Sequence, residues 1–281
     1  MTQATLNEAK LREWIGKSQS SSDTLHAKQA QLMQLTLDRE PSLQTGDALP
    51  PVWHWAYFLS GSPMSQLGRD GHAAVGEFLP PVSLPRRMWA GGRLIYTKPV
   101  HLGEHITKNS FIKDVTLKHG KSGALVFVTV RHEYFGSDDD LRFTEEHDIV
   151  YREDPSPEAP KPAAVPPPAK SAHEEIITPS TVQLFRYSAL TFNGHRIHYD
   201  RDYCKEVEGY PGLIFHGPLT ATLLADLAVR RHPGKQLKSF SFRAVAPLFD
   251  TQSFTIHHDG DALVWAQTPD GGLAMKASFD Y

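Results

Sequence analysis

Two stretches near the N-terminus place their apolar residues at helical spacing. Residues 6–16 form the first predicted helix, and residues 23–38 form the second, with Asp23 as its N-cap. From residue 93 onward apolar and polar positions alternate, which is typical of half-buried strands. The alternation predicts strands at residues 93–98, 110–117, 124–135 and 143–152. Turns are predicted at His119-Gly120 and at residues 136–138.

The C-terminal part repeats this order of helices before strands. Residues 179–190 and the strongly apolar stretch 218–230 are predicted helices. Four predicted strands follow, at residues 238–245, 253–258, 262–267 and 273–280. An apolar helix followed by an antiparallel meander packs most economically when the sheet curls around the helix. Because both parts show the same order, we predict an α+β protein that arose by structural duplication.

A proline-rich stretch separates the two parts. Residues 153–171 read EDPSPEAPKPAAVPPPAKS. Proline fixes φ and lacks a backbone donor, so this stretch can be neither a helix nor a central strand. We therefore predict an N-terminal domain at residues 1–152, a solvated linker at 153–172 and a C-terminal domain at 173–281.

Composition and charge exclude several classes of partner. The 281 residues include 29 basic and 32 acidic side chains, so a formal charge of -3 gives no general attraction to nucleic acid or to anionic membranes. The single cysteine, Cys204, excludes an internal disulfide and a cysteine-based zinc site. The N-terminus lacks the apolar core of a signal peptide, and no apolar run reaches membrane-spanning length. We expect a cytoplasmic protein.

Four residues with catalytic potential lie close together in the second part: Asn193, His195, His198 and Asp200. A histidine can take and give a proton near neutral pH, and a neighbouring amide or carboxylate can hold a water molecule. His195 and His198 are three positions apart, a spacing that on a helix could also suit a metal. Since no cysteine or third histidine lies at ligand spacing, we predict no metal site. A purely structural role for each histidine stays open.

A second motif follows at Gly217-Pro218, where an apolar helix is predicted to begin. Proline suits the first turn of a helix because its missing N–H would be unpaired there anyway. The free N–H groups of such a turn, with the helix dipole, can bind a carbonyl oxygen that gains negative charge. Taken alone, the motif also fits an ordinary helix start with a packing glycine.

The two motifs together resemble the MaoC-like dehydratase/hydratase family. The resemblance rests on RYSALTFNGHRIHYD (186–200), PRRMWAGG (85–92), EEHDIVYRE (145–153) and the His216-Gly217 helix start, which lie in both halves of the chain. These sequence stretches are most similar to the HTD2-like branch of the family, which includes mesaconyl-C4-CoA and itaconyl-CoA hydratases. The implied fold is a double hot-dog, in which two long helices are each wrapped by an antiparallel sheet and the N-terminal copy is degenerate.

The resemblance also implies a reaction, the reversible addition of water to the α,β double bond of an acyl thioester. The acid of the family falls on Asn193, which cannot take a proton. His198 is therefore expected to transfer the proton while Asn193 orients the water. The backbone N–H of Gly217 is expected to bind the thioester oxygen, and His195 or Asp200 to assist.

The branch further implies a short, branched dicarboxylic enoyl-CoA as substrate, hydrated to a citramalyl-type hydroxyacyl-CoA. CoA would be part of the substrate, no further cofactor is implied, and a homodimer is possible. A free carboxylate favours an arginine fork, although most arginines face solvent. The candidates for contact with the substrate are His195, His216, Arg86, Arg87, Arg93, Arg186 and Arg196.

Three other functions stay open at this point. The chain could be a 3-hydroxyacyl-thioester dehydratase of fatty-acid synthesis that acts on longer acyl groups. It could be a non-catalytic acyl-CoA-binding hot-dog protein, because Asn193 replaces the acid. It could also be a hot-dog thioesterase, which would release free CoA thiol.

Overall fold

The computed structural model describes residues 6–73, 75–120, 123–154 and 163–281. Within these residues the chain forms ten strands and four α-helices. The strands are β1 (Ser18–Thr24), β2 (Arg86–Tyr96), β3 (His105–Gly120), β4 (Gly123–Phe135), β5 (Leu141–Arg152), β6 (His173–Ile177), β7 (Ser239–Ala244), β8 (Phe254–His258), β9 (Leu263–Gln267) and β10 (Leu273–Asp280). The helices are α1 (Glu8–Arg12), α2 (Ala27–Thr36), α3 (Thr181–Leu190) and α4 (Gly217–Arg231).

All ten strands belong to one antiparallel sheet, in the order β1-β3-β4-β5-β2-β7-β10-β9-β8-β6. Strands β2 and β7 join the two halves, with Gly91 opposite Arg243 and Ile95 opposite Ser239. A Cβ atom at Gly91 would lie 2.5 Å from the carbonyl oxygen of Phe242. The join therefore requires a glycine at this position, because any side chain would push the two strands apart.

Helix α4 lies against the C-terminal half of the sheet and packs on β7, β8, β9 and β10. Its side chains between Leu219 and Ala228 are almost all buried, as expected for a helix that a sheet wraps on several sides. Pro218 stands in its first turn, and Arg230 and Arg231 stand in its last turn. Proline suits the start of the helix, because the N–H that it lacks would be unpaired there. The two arginines suit the end of the helix, because their positive charge meets the negative end of the dipole.

The helix of the first half, α2, has 10 residues against 15 in α4. It packs on α3 and on the 3-10 turn Trp53–Ala56. Met33 of α2 and Leu94 of β2 belong to the same buried cluster as Leu224 of α4, so one core runs through both halves. The shorter helix agrees with the expectation of a degenerate N-terminal copy.

Every strand predicted from alternation is present, and several are longer than predicted. Strand β3 continues through Gly120, so the turn predicted at His119-Gly120 is wrong. Strand β4 begins at Gly123, and the connection between them falls on residues 121–122, outside the described residues. The turn predicted at residues 136–138 is confirmed, because the N–H of Asp139 donates to the carbonyl oxygen of Gly136.

Two edge strands, β1 and β6, were not predicted. Strand β1 reads SQSSSDT and is mostly exposed, so no apolar alternation marks it. Asp23 lies in this strand and accepts a hydrogen bond from the N–H of Phe58, so its prediction as a helix N-cap is wrong. Helix α2 begins three residues after β1 ends, at Ala27. The polar, exposed side chains of this edge strand disfavour its pairing with strands of other chains.

The predicted linker falls partly on residues 155–162, which lie outside the described residues. After this gap, the carbonyl oxygen of Val165 accepts a hydrogen bond from the N–H of Leu273, at the start of β10. The bounds 1–152, 153–172 and 173–281 stay predictions. Within the described part of the chain, no helix has the length and apolar character needed to cross a membrane.

A loop of the first half, residues 68–72, is fastened to the second half. The backbone N–H of Arg196 donates to the carbonyl oxygen of Asp70 (2.9 Å), and its guanidinium donates to the carbonyl oxygen of Arg69 (3.1 Å). Gly71 has a φ of +87°, and a Cβ atom there would lie 2.1 Å from the carbonyl oxygen of Gly194. The two backbones therefore approach as closely as glycine allows.

We expect Gly71→Ala to lower the free energy of unfolding more than Gly16→Ala does. Both glycines have a φ of +87°, so alanine at either position carries a backbone cost of about 1–3 kcal/mol. A Cβ atom at Gly16 meets nothing within 4 Å, whereas at Gly71 it meets backbone. Urea unfolding of the two variants measures the difference, and equal losses would contradict the close contact between Gly71 and Gly194.

Candidate active site

A cavity of about 600 Å³ lies where the two halves meet. Its wall includes the 70–72 loop and the beginning of β2 from the first half and, among other residues, three segments of the second half. These segments are the stretch between Asn193 and His198, the first turn of α4 and the residues that follow β7. Side chains far apart in sequence therefore face one space.

The segment that carries the predicted histidines is folded by its own backbone. After α3, the N–H of Asn193 donates to the carbonyl oxygen of Ser188 (2.8 Å). The side-chain oxygen of Asn193 then accepts the N–H of His195 (3.0 Å), and a 3-10 turn, Arg196–His198, follows. With this geometry Asn193, His195 and His198 all line the cavity.

His198 is buried and held in one tautomer. Its Nδ1 lies 2.8 Å from the carbonyl oxygen of Ile214, which can only accept, so Nδ1 carries the proton and donates. The other nitrogen, Nε2, then has a free lone pair in the neutral ring. Burial, together with the nearby His195 ring, lowers the pKa of His198 to about 3. His198 is therefore neutral at neutral pH and able to accept a proton.

His216 supports His198 from behind and does not line the cavity. Its side chain is fully buried, its ring is stacked on that of His198 at a centroid distance of 3.7 Å, and its Nε2 is 2.9 Å from the Ser188 hydroxyl. Burial holds the pKa of His216 well below its usual range. The contact of His216 with the substrate stays a prediction, since its ring is fully buried and the ring of His198 lies against it.

Gly217 begins helix α4 and lines the cavity. The first N–H groups of a helix have no partner within it, and here they carry the positive end of the helix dipole. A Cβ atom at Gly217 would lie 3.0 Å from the ring of Trp89. Glycine thus lets the indole, which also lines the cavity, pack directly against the start of the helix.

Asp70 and His72 reach the same cavity from the first half and were not predicted. The Nδ1 of His72 lies 2.9 Å from the Asp70 carboxylate, and the ring centroid of His72 lies 4.2 Å from that of His195. Burial lowers the pKa of His72, although Asp70 raises it. Burial and the His72 ring lower the pKa of His195 to about 3. The Asp-x-His spacing in the loop was the available sequence signal.

Of the five candidate arginines, two line the cavity: Arg86 and Arg87. Arg86 is buried and already donates to Asp154, to the carbonyl oxygen of Glu208 and to the Tyr210 hydroxyl. Arg87 is half-buried. Arg86 forms an ion pair with Glu208, whereas Arg87 forms no ion pair with any described residue. Among the five candidates it is thus the arginine best placed to bind a ligand, and Arg152, which was not a candidate, lines the same cavity.

The other three arginines are not placed among the residues that line the cavity. Arg93 pairs with Glu146 and Asp148. Arg186 donates to the carbonyl oxygen of Leu35 in α2. Arg196 pairs with Asp200, which accounts for both side chains without a ligand. The structure therefore does not place these arginines, or Asp200, where the sequence analysis expected a substrate.

Two groups of histidines and carboxylates have ligand atoms within 4.8 Å of one another: Asp70, His72 and His195 in the cavity, and His132, Glu145 and His147 in the first half. In the first group Asp70 accepts the ring N–H of His72. In the second, Glu145 is surrounded by His54, Trp55, Tyr134 and His147, each within hydrogen-bond distance. Both carboxylates are used by donors of the protein itself, and we assign neither group as a metal site. The absence of a metal stays a prediction.

The sequence matches a family model over much of its length. The model of hydroxyacyl-thioester dehydratase type 2 (Htd2) matches residues 52–250. Mesaconyl-C(4)-CoA hydratase of Chloroflexus aurantiacus is 44% identical over 98% of this chain and 99% of its own. A mitochondrial hydroxyacyl-thioester dehydratase type 2 of Schizosaccharomyces pombe is 30% identical over 74% of this chain and 77% of its own.

Solved structures share the fold at low sequence identity. A MaoC-like dehydratase from Phytophthora capsici has a TM-score of 0.72 at 13% identity, over 98% of both chains. A Mycobacterium tuberculosis protein with a double hotdog fold has a TM-score of 0.58 at 15% identity, over 94% of this chain and 95% of that one. The predicted α+β, double hot-dog fold is confirmed. The chain belongs to the hydroxyacyl-thioester dehydratase type 2 family and is a hydro-lyase that acts on acyl thioesters.

Proposed function

We propose that this enzyme hydrates mesaconyl-C4-CoA, in which the acyl group carries a methyl group and a carboxylate on the β-carbon, to a citramalyl-type hydroxyacyl-CoA. One observation supports this proposal above the others: the cavity combines a neutral histidine of fixed tautomer, the open start of α4 and an arginine that is free of described ion pairs. These are a base, an oxyanion site and a carboxylate site. The nearly full-length similarity to a mesaconyl-C(4)-CoA hydratase supports the same substrate.

The thioester oxygen accepts a hydrogen bond from the backbone N–H of Gly217. This bond draws electron density out of the conjugated double bond, so the β-carbon becomes electrophilic. As the water oxygen bonds to the β-carbon, negative charge moves to the thioester oxygen, where the N–H and the helix dipole stabilise it. One such donor is typically worth ~3–4 kcal/mol in the transition state.

The attacking water lies between His198 and Asn193. His198 takes its proton on Nε2, since Nδ1 is bound to the carbonyl oxygen of Ile214. The Asn193 side-chain oxygen already accepts the N–H of His195, which leaves the amide NH₂ to donate to the water oxygen. That donation turns a lone pair of the water toward the substrate. Asn193 thus orients the water and transfers no proton.

Arg87 binds the carboxylate of the acyl group. In mesaconyl-C4-CoA that carboxylate is attached to the carbon that receives the hydroxyl, so it must lie close to the catalytic histidine. Arg87 lines the cavity, and it is close enough to His72 and His195 to lower the pKa of both. Its guanidinium can therefore hold the carboxylate beside the site of water addition.

The second candidate is a 3-hydroxyacyl-thioester dehydratase of fatty-acid synthesis, which the Schizosaccharomyces pombe relative favours. Itaconyl-CoA, an isomer of mesaconyl-CoA, is a further candidate substrate. CoA is part of the substrate in each case, and no additional cofactor is proposed. The cytoplasmic compartment and the homodimer stay predictions, as does the absence of a nucleic-acid or membrane partner.

A panel of enoyl thioesters tests the substrate. We expect loss of the conjugated-thioester absorbance to be fastest with mesaconyl-C4-CoA, and slower with mesaconyl-C1-CoA, itaconyl-CoA and crotonyl-CoA. Release of free thiol, measured in parallel, would identify a thioesterase. Tight CoA binding without turnover of any of these thioesters would identify a non-catalytic binder. Preference for crotonyl-CoA or longer chains would favour the fatty-acid dehydratase.

We expect His198→Ala to lower the turnover number by ~10²–10⁴-fold, the usual loss when a general base is removed. His105→Ala is the matched control, because His105 is an exposed histidine at the start of β3 and does not line the cavity. Steady-state hydration rates of the two variants at saturating substrate give the comparison. Near-normal turnover by His198→Ala would rule out its role as base.

We expect Arg87→Met to raise the KM for mesaconyl-C4-CoA by ~10-fold or more, since hydrogen bonds to charged groups contribute ~1.5–3 kcal/mol. The KM for crotonyl-CoA, which has no carboxylate, should change little. Arg93→Met on the same strand is the control, because Arg93 is paired with Glu146 and Asp148. An equal rise for both thioesters would show that Arg87 does not bind the acyl carboxylate.

A further inference from the structure

Hydration of a double bond needs two proton transfers, one from the attacking water and one to the α-carbon. One proton leaves the water as its oxygen bonds to the β-carbon, and one proton must reach the α-carbon. His198 can accept the first of these. The residue at the position where the family carries an acid is Asn193, and an amide cannot supply the second. The α-carbon therefore receives its proton either from His198, which has just accepted one, or from another proton-transfer group of the cavity.

The loop at residues 68–72 brings such a group into the cavity. The Asp70 carboxylate accepts two hydrogen bonds from His72, one from its backbone N–H (3.0 Å) and one from Nδ1 of its ring (2.9 Å). Since a carboxylate accepts, Nδ1 is the donor and Nε2 is the nitrogen that gains or loses a proton. This paired geometry is the same device that fixes the tautomer of many acid–base histidines.

His72 is also the first of four neighbouring imidazoles, which we call the imidazole row: His72, His195, His198 and His216. The ring centroids are 4.2 Å apart from His72 to His195, 5.5 Å from His195 to His198 and 3.7 Å from His198 to His216. Burial disfavours a proton on every ring of this row. Of the four rings in this row, only that of His72 contacts a carboxylate of the described residues. His72 is therefore the ring of the row that best holds a proton.

We propose that the Asp70–His72 pair is the second acid–base group of the active site and exchanges the proton of the α-carbon. His72 is the catalytic residue, and Asp70 is a positioning residue that fixes its tautomer. The inference rests on the proposed hydratase function. It also explains why the first half contributes a loop, fastened to Arg196, to the site of the second half.

The hydration step balances as follows. Neutral His198 takes a proton from the water while the water oxygen bonds to the β-carbon, and the electron pair of the double bond moves toward the thioester oxygen. His72 enters the step protonated on both nitrogens, a form that burial disfavours and that the Asp70 carboxylate favours. The electron pair then returns to form the α-carbon–hydrogen bond with the proton on Nε2 of His72. His198 ends with one proton more and His72 with one fewer. His195, which lies between them, returns the proton to His72 for the next turnover.

The role of the pair can also be purely structural, since the Asp70 carboxylate shapes its own loop through the His72 N–H. The experiment must therefore report on the α-carbon–hydrogen bond and not on activity alone. The variants are His72→Gln and Asp70→Asn, the second of which keeps the size of the side chain and an acceptor oxygen. His101→Gln is the control, because His101 pairs with Glu104 in the first half, away from the cavity.

The measurement is dehydration of the citramalyl-type thioester, unlabelled and fully deuterated at the α-carbon. We expect His72→Gln to lower kcat by ~10²–10⁴-fold with little change in KM. Its α-deuterium isotope effect should rise above that of the wild type, because breaking the carbon–hydrogen bond becomes the slow step. Asp70→Asn should change both quantities in the same direction by less. In His198→Ala kcat should fall without a rise in the isotope effect.

Unchanged kcat in His72→Gln overturns the inference, and so does a fall in kcat with an unchanged isotope effect at an unchanged melting temperature. If His72→Gln melts early, Asp70→Asn decides by the same criteria. If the wild type prefers crotonyl-CoA, the proposed substrate fails, and the same comparison with deuterated 3-hydroxybutyryl-CoA still tests the pair. A wild type that hydrates no enoyl thioester overturns both.

Discussion

The pairing of β2 with β7 is the interaction on which the rest of this structure depends. An open strand edge in each half would otherwise be left without partners, and such edges are unstable in isolation. The pairing is close because Gly91 meets the backbone of Phe242 without a side chain between them. It sets the beginning of β2, with Arg87 and Trp89, opposite the start of α4. The cavity is a consequence of this join, since its walls come from both halves.

Burial at the join determines the chemistry of the cavity. Removing imidazoles from water favours their neutral form, which explains why the pKa of His198 and that of His195 are both lowered to about 3. A neutral ring is a base only if the correct nitrogen faces the ligand. The carbonyl oxygen of Ile214 meets that requirement by holding the Nδ1 proton of His198. The backbone, rather than another side chain, thus decides which nitrogen keeps a free lone pair.

The sequence predicted the parts of the fold that have a repeating pattern. Alternation marked the long inner strands, whereas β1 (SQSSSDT) has no apolar alternation, and its last two residues, Asp23 and Thr24, were predicted as the beginning of a helix. Asn193, His198 and Gly217 were predicted to share a site because two local motifs and a family resemblance indicated it, and all three line the cavity. Asp70 and His72 were not predicted as site residues, because only folding brings them close to His195. They lie more than a hundred residues before His195 in the sequence. The sequence does not show which partners an arginine finds after folding. Arg93, Arg186 and Arg196 bind carboxylates or a carbonyl oxygen of the protein, and only two of the five candidates line the cavity.

The amide at Asn193 has a different meaning once the surroundings of His198 are known. A carboxylate in direct contact with a buried histidine favours the imidazolium, because an opposite charge at ~4 Å contributes several kcal/mol at the effective dielectric of a protein. An amide carries no charge, so at that position it leaves His198 neutral. The negative charge is instead located at Asp70, beyond His195 and His72. At that distance it can stabilise a proton that has moved away from His198 without holding one there beforehand. The replacement of the acid by Asn193 is thus compatible with catalysis, provided that Asp70 stays in the loop that the first half supplies.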